Sequence, residues 1–136
     1  MRSLALDTNA YAAFKRGDED IVDVIRHCPH LLISTTVLGE LLAGFAAGSR
    51  QARNRAELAQ FMESPRVQVV ACAETTADNY ALVYAALRRK GRPVPTNDLW
   101  IAASALEHGA ALVTLDDHFS EIDGLRCGRR LTDFVP

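Results

Sequence analysis

Hydrophobic and polar positions along this chain change period many times, and each change marks a predicted element. Leu4 to Leu6 is a short apolar run closed by Asp7, Thr8 and Asn9, whose side chains favour a helix N-cap over a continuing strand. A helix to about Arg16 follows. Gly17-Asp18 resets the chain, and Ile21, Val22, Val24 and Ile25 then pattern an amphipathic helix that stops at Cys28-Pro29. Leu31 to Ser34 reads as a second strand. Ser34, Thr35 and Thr36 are N-cap candidates for a helix carrying Val37, Leu38, Leu41, Leu42 and Phe45, which ends near Gly48 and places Glu40 in or just after its first turn.

Residues 50 to 63 pattern a more polar helix with Leu58, Phe61 and Met62 on its buried side, and Val67 to Cys72 is an apolar, β-branched strand. Thr76 to Lys90 is helical. The two prolines of Gly91-Arg92-Pro93-Val94-Pro95 exclude a helix there. Thr96 caps a helix over Asn97 to Glu107, so that Asp98 is its second residue, and Ala110 to Leu115 is an apolar strand stopping at Asp116. Strands separated by helices predict a three-layer α/β/α fold around a mainly parallel sheet. No repeat, low-complexity tract or linker divides the chain, and 136 residues suit one domain over 1–136.

Composition narrows the class. The longest stretches free of charge and His, Leu31 to Gly39 and Leu41 to Ser49, fall short of the roughly 18 apolar residues of a membrane span. Arg2 precedes only four uncharged residues before Asp7, too few for a secretory apolar region, and three scattered cysteines form no disulfide framework, so a reducing cytoplasm is the expected home. Fifteen Lys and Arg against seventeen Asp and Glu give a net charge of −2, which argues against nucleic acid binding through bulk charge.

Four carboxylates change that picture: Asp7 ends the first strand, Glu40 lies near a helix start after the second, Asp98 opens a helix, and Asp116 ends the last long strand. Open parallel sheets bind ligands at the carboxyl ends of their strands, so the four should converge. Each alone is explained as readily by capping and the helix dipole. Together they repel, and lysines to neutralise them are scarce, the chain having only Lys15 and Lys90. A hard divalent cation resolves the conflict, and oxygen ligands suit Mg²⁺ or Mn²⁺.

Leu6-Asp7-Thr8-Asn9, Thr36-x-x-x-Glu40, Pro95-Thr96-Asn97-Asp98-Leu99-Trp100-Ile101-Ala102-Ala103 and Leu112-Val113-Thr114-Leu115-Asp116-Asp117-His118-Phe119 resemble the sequence blocks of the PIN domain, in order and across essentially the whole chain. The small size resembles the VapC-type toxins of toxin–antitoxin pairs. The resemblance implies a PIN-like fold and a metal-dependent endoribonuclease with Asp7, Glu40, Asp98 and Asp116 as its catalytic acids. Asp7, Asp98 and Asp116 would hold Mg²⁺ or Mn²⁺, with Thr8, Asn9, Asn97 and Thr114 as hydrogen-bond partners of the carboxylates or simply as caps and turn residues. The partners implied are an RNA substrate, a small VapB-like antitoxin, and a second copy in a homodimer that becomes a heterotetramer or larger with antitoxin. The apolar side Tyr80, Leu82, Val83, Tyr84 and Leu87 is a candidate dimer face.

Other features weigh less. Thirteen of the fifteen cations are Arg, and of their clusters Arg88, Arg89 and Arg92 are the best candidates to meet RNA because they lead into the Asp98 block. Setting the four acids aside turns −2 into +2, which predicts modest, metal-dependent RNA affinity centred on the cleft. His27-Cys28-Pro29-His30 lacks a second ligand pair for zinc. Trp100 with Leu99, Ile101 and Leu106 among Ala102, Ala103 and Ala105 reads as a helix packed closely on the sheet instead of an RNA-stacking platform, and His118 reads as an exposed loop residue. A receiver domain would need an acidic pair at strand one and a late Lys, and a dehalogenase-type phosphatase a second Asp where Asn9 stands. A catalytically silent PIN-like module binding RNA or a partner remains the main alternative.

Overall fold

The computed structural model describes residues 3–135. Its elements are β1 (Leu4–Leu6), α1 (Thr8–Lys15), α2 (Glu19–His27), β2 (Leu31–Ser34), α3 (Thr35–Ala47), α4 (Gln51–Met62), β3 (Val67–Val70), α5 (Glu74–Lys90), α6 (Thr96–Glu107), β4 (Ala111–Val113) and β5 (Cys127–Gly128), with 3₁₀ turns at Asp117–Glu121 and Leu131–Asp133. The strands form one five-stranded sheet in the order β3-β2-β1-β4-β5. Every pairing is parallel, with Leu6 beside Val113 and Leu4 beside Leu31. Helices cover both faces, giving the three-layer α/β/α architecture. Every residue of β1 and β2 is buried, as expected of central parallel strands with no solvent face.

From β1 the chain winds outward one way through β2 and β3, and the other way through β4 and β5. The strand order therefore reverses between β1 and β4. A crevice opens at such a switch point, at the carboxyl ends of the two strands.

Helix starts follow local chemistry. Asp7 caps α1 by accepting the Thr8 N–H at 2.8 Å, Asp18 caps α2 through the Ile21 N–H at 3.1 Å, and Ser34 caps α3 through the Val37 N–H at 3.3 Å. Helix α6 departs from the expected cap. It begins at Thr96 behind Pro95, with no side chain capping it, so Asp98 is its third residue instead of its second. The extended backbone preset at Pro95 supplies the turn that Thr96 was expected to make.

Strand ends are shorter than the apolar runs. β3 stops at Val70, short of Cys72, whose N–H donates to Thr35 Oγ1 at 3.3 Å as the chain leaves the sheet. β4 ends at Val113, short of Leu115, whose N–H is taken by Asn9 Oδ1 at 3.1 Å. Helix α5 starts at Glu74, before Thr76, whose hydroxyl accepts the Ala73 N–H at 2.9 Å. The two-residue β5 has no apolar pattern, and only its pairing with Leu112 and Val113 defines it.

Helix α6 packs on the sheet through Ile101, Ala102 and Ala105, as expected, and Trp100 turns its side chain towards α5. Its ring stacks on Tyr80 of α5 at a centroid separation of 4.1 Å, within the close packing of α5 on α6. Around His27-Cys28-Pro29-His30 the polar groups are consumed by structure: His30 bonds Ser3 Oγ at 2.6 Å and Gln68 Oε1 at 2.8 Å, and Cys28 Sγ donates to the His30 carbonyl at 3.2 Å. No helix among the described residues is long and apolar enough to cross a membrane.

Candidate functional site

The crevice at the carboxyl ends of β1 and β4 gathers the acids. Asp7 stands between β1 and α1 and is only 3% exposed. Its Oδ1 accepts the Thr8 N–H, and its Oδ2 accepts the Thr114 hydroxyl at 2.7 Å. Thr114 in turn accepts the Asp116 N–H at 3.0 Å, which ties the position of Asp116 to that of Asp7. Asn9 adds a second tie, donating from Nδ2 to Asp116 Oδ2 at 3.0 Å while its Oδ1 holds the Leu115 N–H. Glu40, on α3, accepts the Thr8 hydroxyl at 2.5 Å and Asn97 Nδ2 at 3.2 Å. Thr8 and Asn97 thus share Glu40, Asn9 holds Asp116 and Thr114 holds Asp7, while none of the four reaches Asp98.

Asp98 and Asp116 approach each other with His118. One ligand atom from each of these three lies within 4.8 Å of the other two. Ionised carboxylates at that separation repel by about 3 kcal/mol at an effective dielectric constant of about 20. Among the described residues no Lys or Arg pairs with Asp7, Glu40, Asp98 or Asp116. Both lysines are engaged elsewhere, Lys15 with Glu57 at 2.7 Å and Lys90 with Asp123 at 2.6 Å.

The electrostatic result is visible on Asp7. Burial pushes its carboxyl up to about 6, the charges of Asp98 and Asp116 add to the rise, and the Thr114 and Thr8 hydrogen bonds oppose it. Asp98 is also raised, by burial and by Glu40 and Asp116, against the opposing contact from His118. An oxygen-rich cluster whose own members disfavour one another's charge suits a hard divalent cation, which relieves burial and repulsion together. The imidazole of His118 adds a nitrogen within reach.

Comparison with known proteins settles the family. The family model described as "PIN domain" matches residues 4–125. The chain belongs to the PIN-domain family, on its VapC branch. It is 32% identical over 88 residues to Ribonuclease VapC4 of Mycobacterium tuberculosis, covering 65% of this chain and 68% of that protein. It is 30% identical over 123 residues to Ribonuclease VapC5 of the same organism, covering 88% and 87%. Among solved structures, DNA-bound VapBC from Salmonella typhimurium superposes with a TM-score of 0.82 at 30% identity, covering 94% of this chain and 98% of that one.

Two neighbours of the acids in this PIN domain were not legible along the chain. His118 is no free loop residue: its Nε2 lies 2.8 Å from Asp98 Oδ2. The only hint in the sequence is its place two residues after Asp116, because the 3₁₀ turn at Asp117–Glu121 swings it towards α6. That turn also separates the adjacent acids. The side chain of Asp117 is 98% exposed and meets Arg129 at 3.4 Å, whereas Asp116 faces the cluster. The second neighbour is Arg129, whose Nη2 donates to the Leu115 carbonyl at 3.0 Å and braces the loop from outside.

The arginines expected to meet RNA divide in space. Arg92, Pro93 and Val94 line an open groove of about 500 Å³ with Asp117 and His118, so this arginine borders the acids. Arg88 is spent on Tyr84, donating to its hydroxyl at 3.2 Å, and lines a separate apolar hollow with Leu87, Val94 and Leu99. Arg89 is exposed and lines neither.

Proposed function

We propose that this VapC-family PIN domain is a metal-dependent endoribonuclease acting as the toxin of a VapBC-like pair. The observation that carries the reading is the gathering of four carboxylates in one crevice, three held by hydroxyls and amides and Asp98 by His118, with no Lys or Arg among the described residues paired to any of them. Asp7, Asp98 and Asp116 would hold Mg²⁺ or Mn²⁺, with His118 Nε2 beside them. When bound, that ion supplies Lewis acidity towards phosphate oxygens and offsets their negative charge.

Glu40 stands apart from this role. Thr8 and Asn97 occupy one oxygen each and orient the carboxylate towards the crevice, where it would accept the proton of the water that attacks phosphorus. The new oxygen–phosphorus bond forms as the bond to the leaving ribose oxygen breaks, giving two RNA ends. Arg92, at the edge of the cleft, would meet a flanking phosphate.

Partners follow from the relatives, whose solved complexes pair the PIN domain with an antitoxin on DNA. Such an antitoxin would cover the acidic crevice here, and a second copy of this chain would use α5, where Leu82 is 70% and Tyr84 46% exposed. A cytoplasmic setting accords with this role.

Purified protein is expected to cleave structured RNA with Mg²⁺ or Mn²⁺ and to stop in excess EDTA. Undiminished cleavage in EDTA overturns the mechanism. Growth arrest on expression that persists equally with Asp98→Asn removes the toxin role.

A further inference from the structure

A groove of about 330 Å³ runs between α1, α3 and α4, beginning at Tyr11, one helical turn beyond Asp7, and touching Leu41, the residue after Glu40. Its charged lining is lopsided: Lys15, Arg16, Arg50 and Arg53 against the single acid Glu57. Glu57 engages two of these, Lys15 at 2.7 Å and Arg53 at 3.0 Å. Among the described residues neither the Arg16 nor the Arg50 side chain has a hydrogen-bond or ion-pair partner. Two cations therefore stand uncommitted in one concavity, where their mutual repulsion favours an anion.

Two further observations point the same way. Helix α4 opens at this groove with Arg50 at its N-cap, no side chain accepting from its first turn and no acid within that turn, so its positive end is unanswered. Tyr11, 2% exposed, lines the groove, and its hydroxyl is the only fully buried side-chain polar atom among the described residues without a hydrogen-bond partner. An unmade hydrogen bond at a buried hydroxyl costs free energy, and fold packing alone would be served as well by Phe. Burial pushes the phenol up to about 12, with Glu57 adding, so it stays a donor.

We infer that this groove binds backbone phosphate of the RNA strand cut at the acidic crevice, at a distance along the strand from the cut. The inference rests on the ribonuclease reading. Arg16 closes α1 and Asp7 opens it, so the groove's far end lies on the order of 12 Å from the acids at a rise of ~1.5 Å per residue, a span of a few nucleotides. Arg16 and Arg50 pair with phosphate oxygens beside the uncapped start of α4. Backbone contacts of this kind carry no sequence information and serve to hold register.

The test uses the full chain, a fluorescent single-stranded RNA, and anisotropy as a function of salt, with cleavage followed separately. Arg16→Gln with Arg50→Gln leaves every hydrogen bond and ion pair within the fold in place. It is expected to weaken binding about tenfold and to flatten the log–log salt slope by roughly 0.7 for each phosphate that is no longer neutralised. Tyr11→Phe is expected to leave the melting temperature unchanged or higher, since its hydroxyl has no partner to lose. Arg26→Gln, exposed on α2 and outside the groove, should change neither quantity. In cleavage, the double variant should raise KM on a long RNA and leave a fragment too short to span both sites unaffected. An affinity and slope equal to wild type in the double variant overturn the inference. Failure of the wild type to cleave with Mg²⁺ overturns the ribonuclease reading instead, and the salt slope distinguishes the two.

Discussion

Asp7 opens α1, Glu57 of α4 meets Lys15 at the other end of that helix, and the two acids are treated in opposite ways. Glu57 receives Lys15 and Arg53, and these hydrogen bonds and charges hold its carboxyl below the usual carboxylate range. Asp7 receives a hydroxyl and a backbone N–H, is sealed from water, and has Asp98 and Asp116 as its nearest charged company. The groove region neutralises its acid with spare cations left over, whereas among the described residues no Lys or Arg pairs with the acids of the crevice. Hydroxyl and amide partners orient a carboxylate without cancelling its charge. A region optimised for stability would resemble the first, and a region that binds a metal ion must resemble the second.

The largest expected effect breaks the crevice. Asp98→Asn should lower RNA cleavage on the order of 10³-fold with unchanged circular dichroism, because it removes a charged oxygen where transition-state charge is stabilised. Activity near wild type would equate the crevice with the groove as a merely structural cluster.

Next comes stability against pH. The folded carboxyl of Asp7 sits near 6, above its ordinary 3.8, so ionisation costs the fold. That cost is fully present above pH 6 and disappears as pH falls through 6 towards 3.8. Metal-free Asp7→Asn should therefore be more stable than wild type at pH 7 by on the order of 2–3 kcal/mol, and equal to it near pH 4. Asn preserves the cap on α1. The same variant should lose the rise in melting temperature that Mg²⁺ gives the wild type. A destabilised Asp7→Asn at pH 7 would show that burial is not what raises this carboxyl.

Thr114→Val tests the partners themselves. It keeps the shape, removes the donor to Asp7 and the acceptor of the Asp116 N–H, and should weaken Mn²⁺ binding about 10–100-fold in titration. The smallest effect belongs to the groove: Glu57→Gln should leave the melting temperature and cleavage of short RNA nearly unchanged, since its pairs are partly exposed to solvent. A large loss would give that ion pair a weight its setting does not explain.

Much of this contrast was readable along the chain. Apolar runs located the four longer strands, Asp7 and Ser34 announced their helices, and the four acids were recognisable from their places at strand ends and helix starts. These signals survive in sequence because periodicity and capping act over a few residues. Where the pattern erred, a distant partner intervened. Leu115 leaves β4 because Asn9, 106 residues earlier, takes its N–H, and β3 is cut short as Thr35 captures Cys72. The partner of the Trp100 ring, Tyr80 on a neighbouring helix, was likewise invisible along the chain.

Order along the chain therefore determined the α/β alternation, the parallel sheet and which acids stand at strand ends and near helix starts. Only the tertiary structure decided which hydroxyl holds which carboxylate, that Asp116 and not its neighbour faces Asp98, that His118 closes the cluster, and that Tyr11 keeps an unanswered hydroxyl over a basic groove. Those pairings join residues as much as 107 positions apart. Their energies depend on burial and on distances of a few ångströms, which exist only once the layers have packed.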